Sequence, residues 1–239
     1  MLKLLKDILF PVECLFCKKY GVWLCPNCAA TIKFEAHQSC PSCHRLNAWG
    51  ELCVDCQKDF FFDGIFVAGD YHDQKLAQLI KNYKYNFLKD LGVVLADFMI
   101  GFIKEKIFIN SYKHILNRTL SLSSKNTLVI PVPLSSKRQR WRGFNQAEII
   151  ADYFAANLNL SINKDLKRLK HKSAQAKLSE AERQKNIDGV FVWTGVDIKG
   201  KRIILVDDVS TTGATLNEGA KVLKAAGAEA VWGLVIASN

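Results

Sequence analysis

The sequence lacks any apolar run long enough to span a bilayer. Its longest apolar stretch, residues 91–103, is interrupted by Asp97, whereas about 20 apolar residues are needed to cross the hydrocarbon core. Residues 1–10 read as a leucine-rich helix that carries Lys3, Lys6 and Asp7, and no small-residue cleavage site follows, so they make a poor signal peptide. We therefore expect a cytoplasmic protein that does not span a membrane.

Acidic residues are the minority, and cysteine is absent from most of the chain. The 239 residues contain 33 Lys and Arg against 23 Asp and Glu, a formal net charge of +10, which favours an anionic partner without identifying it. A hydrophobic content of 49% is enough for a buried core and excludes a disordered chain. All eight cysteines lie between Cys14 and Cys56. In a reducing compartment, such cysteines are expected to bind metal rather than to form disulfides.

The cysteines form four Cys-x-x-Cys pairs. Two thiolates at this spacing can bind one zinc ion from a single turn, so two pairs complete a tetrahedral site, and four pairs predict two zinc ions. A site with four thiolates has no open coordination position, which indicates structural rather than catalytic zinc. Sequential pairing closes the shorter loops and is favoured, while interleaved pairing stays open. The predicted ligands are Cys14, Cys17, Cys25, Cys28, Cys40, Cys43, Cys53 and Cys56.

Beyond the cysteines the chain changes to long apolar segments, which predicts two domains, residues 1–58 and 59–239. In the second domain, short apolar strands alternate with segments of helical periodicity. This order predicts an α/β fold with a mainly parallel sheet and flanking helices, whose ligands bind at the carboxyl ends of strands. The strands are predicted at residues 64–71, 128–132, 189–193, 202–206 and 230–237. A helix is predicted from residue 146 to residue 158, with Asn145 as its cap.

One strand-to-helix turn carries the clearest chemistry. A strand at residues 202–206 is followed by Asp207 and Asp208, and the loop of residues 210–215 then opens a helix. Hydroxyls and backbone N–H groups at a helix N-terminus bind phosphate. Ionised carboxylates accept hydrogen bonds from sugar hydroxyls or bind a hydrated magnesium ion. A phosphorylated ribose satisfies both halves of this turn.

The segment from Ile203 to Thr215 resembles the phosphoribosyl pyrophosphate (PRPP) motif of type I phosphoribosyltransferases. The resemblance implies that Asp207 and Asp208 hold the ribose hydroxyls and that magnesium arrives bound to the pyrophosphate of PRPP. Purine-salvage members of that family have an aspartate at the position of Thr211, which argues against simple purine salvage. The residues implied to bind the 5-phosphate are Ser210, Thr211, Thr212, Gly213, Ala214 and Thr215.

Two basic segments accompany the turn, at residues 137–142 and 164–185. Their cations can neutralise a pyrophosphate or contact a nucleic-acid backbone, and Trp141 and Phe144 among the first set also suit base stacking. The second segment, with Gln175, Arg183 and Asn186, resembles the flexible loop that closes over PRPP in this fold. Solvated surface loops are the alternative for both segments. The candidate residues are Lys137, Arg138, Arg140, Arg142, Arg168 and Arg183.

Several motifs, taken in order along almost the whole chain, resemble the ComF competence family. They are the leucine-rich first segment, the four cysteine pairs, Lys84-Tyr85, Pro131-Val-Pro, Arg142-Gly-Phe-Asn-Gln and the PRPP motif. The resemblance implies a type I phosphoribosyltransferase-like fold preceded by a small zinc-ribbon-like domain. It also implies a protein that handles incoming single-stranded DNA in natural transformation.

Three functions stay open at this point. The favoured one is a PRPP-responsive protein that handles single-stranded DNA without catalysis. The second is an active phosphoribosyltransferase with an unidentified acceptor, for which no catalytic residue is predicted. The third is a docking module in which the zinc segment contacts a competence helicase or a DNA-uptake channel, and the PRPP pocket is vestigial.

Overall fold

The computed structural model describes residues 11–86, 88–108, 126–169 and 189–238. The predicted helix at residues 1–10 and the loop residues Gln175, Arg183 and Asn186 lie outside this part of the chain. The strands are β1 (Gln38–Ser39), β2 (Leu46–Asn47), β3 (Gly64–Asp70), β4 (Thr127–Pro131), β5 (Ser161–Ile162), β6 (Leu166–Arg168), β7 (Phe191–Trp193), β8 (Arg202–Ser210) and β9 (Ala230–Ser238). The helices are α1 (Pro26–Ala29), α2 (Gln74–Tyr85), α3 (Leu91–Phe108), α4 (Ser136–Arg142), α5 (Gln146–Asn157) and α6 (Ala214–Ala225).

A five-stranded sheet in the order β3-β9-β8-β4-β5 forms the centre of the body, and all its pairings are parallel. Successive side chains of β8 alternate between the two faces, because side chains repeat every two residues along a strand. Ile204 and Val206 pack with α2, α3 and α5, while Ile203 and Leu205 pack with α6 and the β6–β7 pair. Both faces are therefore covered, and the prediction of an α/β fold with a mainly parallel sheet is confirmed.

The cysteine segment covers the outer edge of this sheet. β3 is an edge strand, whose free N–H and C=O groups would otherwise be open to pairing with another chain. The Gln38 side chain donates from Nε2 to the Val67 carbonyl at 2.9 Å, and its Oε1 accepts from the Val67 N–H at 2.9 Å. The Ile65 N–H donates to the Gly50 carbonyl at 2.8 Å. These hydrogen bonds hold the segment against the sheet edge.

The contact between residue 50 and Ile65 requires a glycine at position 50. It has φ of +74°, in the left-handed region that glycine adopts without strain. A Cβ at this position would lie 2.0 Å from the Ile65 carbonyl oxygen. The neighbouring Trp49 is buried and stands at 87° to the Phe66 ring, with centroids 6.4 Å apart. The segment therefore adds an aromatic side chain to the main core, and the division into domains at residue 58 stays a prediction.

At several places the local structure differs from the sequence predictions or adds to them. The strand predicted at residues 189–193 is the shorter β7, which pairs antiparallel with β6 outside the central sheet. The basic segment at residues 137–142 is helical, with the Ser135 side chain capping α4. Asn145 does occupy the N-cap position of α5, but its side chain donates to the Val132 carbonyl at 3.1 Å and makes no cap hydrogen bond.

Among the helices of the described ranges, none combines the length and the hydrophobicity needed to cross a membrane.

Candidate functional site

The eight cysteines form two clusters, and within each cluster all four Sγ atoms lie within 4.8 Å of one another. The first contains Cys14, Cys17, Cys25 and Cys28, and the second contains Cys40, Cys43, Cys53 and Cys56. This is the sequential pairing that the loop lengths favour. Each ligand set consists of four thiols and includes no carboxylate or imidazole. Such closed sites are typical of structural zinc, so the two clusters support two structural zinc ions.

Both clusters contain thiols with a lowered pKa, which are Cys14 and Cys25 in the first and Cys40 in the second. Burial raises the pKa of Cys14 and of Cys40, but backbone N–H donors outweigh this effect and lower both pKa values to about 6. In the first cluster, burial followed by hydrogen bonds from neighbouring thiols raises the pKa of Cys28 to about 12. A metal ion entering the cluster must therefore displace protons from the remaining thiols, which couples its affinity to pH.

A polar pocket of about 160 Å³ opens at the carboxyl ends of β4 and β8, and we call it the strand-end pocket. Both acidic residues of the predicted turn line it, and so do cations from three different parts of the chain. The residues that carry its polar chemistry are Lys84, Arg138, Arg142, Gln146, Arg168, Asp207, Asp208 and Thr215. The topology places the pocket where ligands of parallel α/β sheets bind.

Asp207 and Asp208 have different surroundings. Both belong to β8, which extends to Ser210, and successive side chains of a strand point to opposite faces of the sheet. Asp208 accepts from Lys84, with Oδ1 and Nζ 2.9 Å apart and the two side chains only 11% and 18% exposed. Burial, followed by the charge of Asp208, raises the pKa of Asp207 to about 7. Asp207 therefore keeps its proton to a higher pH than an ordinary carboxyl, while Lys84 neutralises Asp208.

The raised pKa predicts that Asp207→Asn stabilises the protein at alkaline pH. The folded state holds a proton that the unfolded state, with the ordinary pKa of 3.8, has already released, so this group's contribution to stability falls as the pH rises towards 7. We compare the free energy of unfolding of Asp207→Asn with that of the unsubstituted protein. The difference, variant minus unsubstituted, should increase by roughly 1–2 kcal/mol between pH 6 and pH 8.5. Denaturant melts at both pH values measure this difference, with the exposed Asp197→Asn as control. A constant difference would show that the carboxyl is already ionised at pH 6.

The basic side of the strand-end pocket contains two buried donor atoms without an acceptor. Arg142 is 8% exposed and Gln146 is 1% exposed. Arg142 donates from its Nη1 to the Gln146 Oε1 at 3.0 Å, and the Tyr83 hydroxyl donates to the Gln146 carbonyl at 3.0 Å. Arg142 Nε and Gln146 Nε2 have no acceptor within the part of the chain that the structure describes. A left-handed Gly143 (φ +75°) ends α4 between these two residues.

The loop of residues 210–215, which we call the phosphate loop after its predicted ligand, lies between two cavities. Thr215 lines the strand-end pocket, whereas Ser210, Thr211 and Gly213 line a second cavity of about 190 Å³. Gly213 is the N-cap of α6 with φ of +70°, a conformation that a residue with a Cβ adopts only with strain. Thr211 and Thr212 are exposed, so their hydroxyls and the adjoining backbone are open to a ligand.

The structure separates the predicted basic residues into two sets. Arg138, Arg142 and Arg168 line the strand-end pocket, whereas Lys137 and Arg140 are exposed on α4. Arg183 lies outside the described residues. Sequence reasoning did not select Lys84 or Gln146 as site residues. Both belong to motifs of the family resemblance, and no local pattern indicates that they lie next to the acidic pair.

An exposed aromatic pair lies beside the pocket. The rings of Tyr85 and Trp141 are each 54% exposed, with centroids 5.9 Å apart. The Arg142 guanidinium carbon lies 5.6 Å from the Tyr85 centroid and 5.9 Å from the Trp141 centroid. We call Tyr85 and Trp141, together with the exposed cations Lys137 and Arg140, the aromatic platform.

A larger apolar groove, of about 720 Å³, lies elsewhere, between the first cysteine cluster and helices α2 and α3. Its walls include Leu24, Phe34, Leu76 and Phe98. Among the described residues, no predicted site residue lines it.

Two family models match the chain. The model described as phosphoribosyl transferase domain covers residues 141–238, and the model described as double zinc ribbon domain covers residues 5–57. Together with the parallel sheet, these matches confirm the expected type of fold and the N-terminal zinc-ribbon domain. They also agree with the two cysteine clusters as sites for structural zinc.

Similar proteins from three bacteria align over most of their own length. "Competence protein F" of Haemophilus influenzae is 31% identical over 238 residues, which cover 94% of this chain and 97% of the relative. "Competence protein ComFC" of Bacillus subtilis is 29% identical over 211 residues, covering 87% and 81%. "DNA utilization protein YhgH" of Escherichia coli is 26% identical over 228 residues, covering 92% and 94%.

Proposed function

Because the chain belongs to the family of competence protein F and ComFC, we propose that it handles incoming single-stranded DNA during natural transformation and that its strand-end pocket binds PRPP with magnesium. The names of its relatives support a competence role. We further propose that the body of the chain, residues 59–239, carries both activities, and that residues 1–58 form the zinc domain in the cytoplasm.

The observation that carries the PRPP proposal is the pair of buried donors, Arg142 Nε and Gln146 Nε2. A buried donor without a partner costs about 1–3 kcal/mol, and a bound pyrophosphate would supply the missing acceptor oxygens. Charge-assisted hydrogen bonds to such oxygens are stronger than hydrogen bonds between neutral groups. The unpaired donors are therefore a preformed site for an anion rather than an element of packing alone.

The charges of the strand-end pocket match the rest of the ligand. Four cations face two carboxylates in it, one of which has a raised pKa, so a pyrophosphate enters a positive site. Asp207 and Asp208 offer acceptors to the ribose hydroxyls, and their oxygens are also the type of ligand that hydrated magnesium prefers. Magnesium bound to PRPP would supply additional neutralisation of the pyrophosphate charge.

The aromatic platform supports the proposal of single-stranded DNA binding. Bases stack on exposed aromatic rings regardless of sequence, and a positive surface alongside follows the backbone. Tyr85 and Trp141 supply the rings. Lys137 supplies exposed charge one helical turn before Trp141, and the exposed Arg140 directly precedes Trp141 in the sequence. In this arrangement PRPP and DNA use different members of the basic segment, with Arg142 contacting both regions.

A pair of variants tests whether the two sites are separate. Asp207→Ala combined with Asp208→Ala is expected to abolish the rise in melting temperature caused by Mg-PRPP while leaving binding of a single-stranded oligonucleotide within threefold. Trp141→Ala should weaken oligonucleotide binding by about 5- to 100-fold, since stacking on one aromatic ring is worth about 1–3 kcal/mol. It should leave the shift caused by Mg-PRPP in place. Thermal melts and fluorescence anisotropy measure the two effects.

Asp197→Ala and Lys199→Gln are matched controls, because both residues precede β8 at the amino end of the sheet and are exposed. Absence of a shift with Mg-PRPP in the unsubstituted protein would overturn the PRPP proposal. DNA binding that is unaffected by Trp141→Ala would show that the aromatic platform does not bind DNA. Pyrophosphate release in the same samples would identify a transferase instead of a binding protein.

A further inference from the structure

The apolar groove of about 720 Å³ lies over the junction between the first cysteine cluster and the body of the chain. Leu24 and Phe34 line it from the cysteine segment, and Phe98 lines it from α3. The Phe34 and Phe98 rings are both partly buried, with centroids 4.9 Å apart. A segment bound in this groove would therefore contact the zinc domain and the body at the same time.

The groove is open to solvent and mostly apolar. Three of its small apolar residues are exposed, namely Pro26, Ala30 and Ala36. Its volume lies within the range of about 300–1,000 Å³ that is typical of ligand sites. Exposed apolar surface of this extent is uncommon on a monomer unless a partner or a further segment covers it.

Residues 1–10, which lie outside the described part of the chain, have an apolar stripe with helical spacing. An α-helix rotates successive residues by about 100°, so it brings residues three and four apart onto one side. The residues of this stripe are Leu4, Leu5, Ile8 and Leu9. The charged residues Lys3, Lys6 and Asp7 fall on the opposite side. The pattern is typical of a helix that binds an apolar surface along one side.

Such a helix is too short to be stable without a partner. Isolated helices of fewer than about 12–15 residues are marginal in water, and in proteins most helical stability comes from the packing of an apolar face. Ten residues form a helix about 15 Å long. The stripe therefore needs an apolar surface of similar length, and a surface of the same chain is available at a high effective concentration.

The described chain begins close to the groove. Pro11 precedes Cys14 by three residues, which span at most about 11 Å. The Sγ atoms of Cys14 and Cys25 lie within 4.8 Å of each other. Cys25 stands between Leu24 and Pro26, and both of these residues line the groove. Residues 1–10 are therefore attached within reach of it.

The charges of the groove complement those of the segment. Asp97 and Glu105 on α3 are exposed at the groove, and neither forms an ion pair within the described residues. Lys33 is the one cation among the described lining residues. The groove thus has a net charge of −1, whereas residues 1–10 contain two lysines and one aspartate. Exposed ion pairs add little stability, but complementary charge favours one orientation of the bound segment.

We propose that residues 1–10 bind as an amphipathic helix in the apolar groove of their own chain. The leucine stripe packs against Leu24, Phe34 and Phe98, and the charged side stays in solvent. The bound helix holds the first cysteine cluster against α2 and α3. This inference is independent of the proposed binding of PRPP and DNA, because it uses none of the residues assigned to either ligand.

Photo-cross-linking of the full-length, zinc-loaded protein tests the position of the segment. With p-benzoylphenylalanine in place of Leu5, we expect cross-links within one chain to residues 24–36 or to α2 and α3, mapped by mass spectrometry. The same group in place of Asp7, on the opposite side of the helix, is the matched control and should give at least fivefold less of these products. Equal yields at both positions, or products that map elsewhere, would overturn the proposal. Cross-linked dimers as the main product would assign the groove to a second copy of the chain and also contradict it.

Substitution of the stripe gives a second measurement. Leu5→Asp combined with Leu9→Asp should lower the melting temperature by at least about 4 °C, because two leucine side chains lose their burial. Asp7→Asn is the control and should melt within 2 °C of the unsubstituted protein. A double variant that melts like this control would show that the stripe is not buried against the protein. Cosedimentation with phosphatidylglycerol vesicles that the double variant abolishes would assign the stripe to a lipid surface, again contradicting the proposal.

Discussion

Cys40→Ser is expected to lower the melting temperature by more than 10 °C and to reduce the zinc content from two ions to one per chain. Cys40 is fully buried in the second cluster. Structural zinc contributes on the order of 10 kcal/mol or more to the folding of a small segment, which is comparable to the whole stability of a typical domain. Loss of this site should therefore unfold the second cluster's segment and not merely weaken it.

The damage should spread to the sheet, because the same segment covers β3. Without the contacts of Gln38 and Gly50, the edge groups of Val67 and Ile65 become open to pairing with another chain. We expect aggregation on heating, together with increased exposure of Trp49. Elemental analysis, thermal melts and light scattering measure these effects.

Ser39→Ala is the matched control for this variant, since it alters the neighbouring side chain without removing a thiol. It should retain two zinc ions and melt within 2 °C of the unsubstituted protein. A Cys40→Ser protein that still binds two zinc ions, or that melts like the control, would contradict the model of two independent four-cysteine sites.

Lys84→Met is expected to destabilise the protein by about 2–3 kcal/mol. Removing one partner of a fully buried ion pair costs about 3–5 kcal/mol, because the other charge stays buried and uncompensated. The Lys84 and Asp208 side chains are 18% and 11% exposed, so some solvent screening reduces the effect. At about 2–4 °C per kcal/mol for a domain of this size, the melting temperature should fall by roughly 4–12 °C.

Asp208→Asn should restore part of this loss when it is combined with Lys84→Met, because the double variant contains neither charge. The coupling energy from the double-mutant cycle should exceed about 1 kcal/mol. Lys81→Met on the same helix is the control, since Lys81 is exposed and should change stability by less than about 0.5 kcal/mol. Additive effects of the two substitutions would mean that the ion pair contributes nothing beyond its separate residues.

The two parts of the site differ in how well sequence reasoning predicted them. Each zinc cluster uses residues that are close along the chain, so the Cys-x-x-Cys spacing and loop length were sufficient to predict both groups of four. The turn from Asp207 to Thr215 also has its chemistry in consecutive residues, and its binding of PRPP stays a prediction. The predicted end of β8 at residue 206 was wrong. Two adjacent acidic residues are typical of the end of a strand, but β8 stays paired with β9 as far as Ser210.

The basic segment shows why the remainder was not predictable. Lys137, Arg138, Arg140 and Arg142 look equivalent as a run of cations, but α4 buries Arg142 and leaves Lys137 and Arg140 in solvent. Helical geometry rotates successive side chains by about 100°, since there are 3.6 residues per turn. In the proposed function, the side of this short helix on which each residue lies therefore decides whether that residue contacts pyrophosphate or DNA.

By itself, the sequence determined the α/β class and the two groups of four cysteines, and it predicts the phosphate-binding turn, because each depends on spacings of a few residues that local backbone geometry translates directly into structure. Only the tertiary structure decided that Lys84 pairs with Asp208, that Trp141 lies beside Tyr85, and that the zinc segment forms a wall against the phosphate loop. These contacts join residues far apart along the chain. Their partners are selected by the packing of helices on the sheet and by the covering of its β3 edge, which no local pattern of residues encodes.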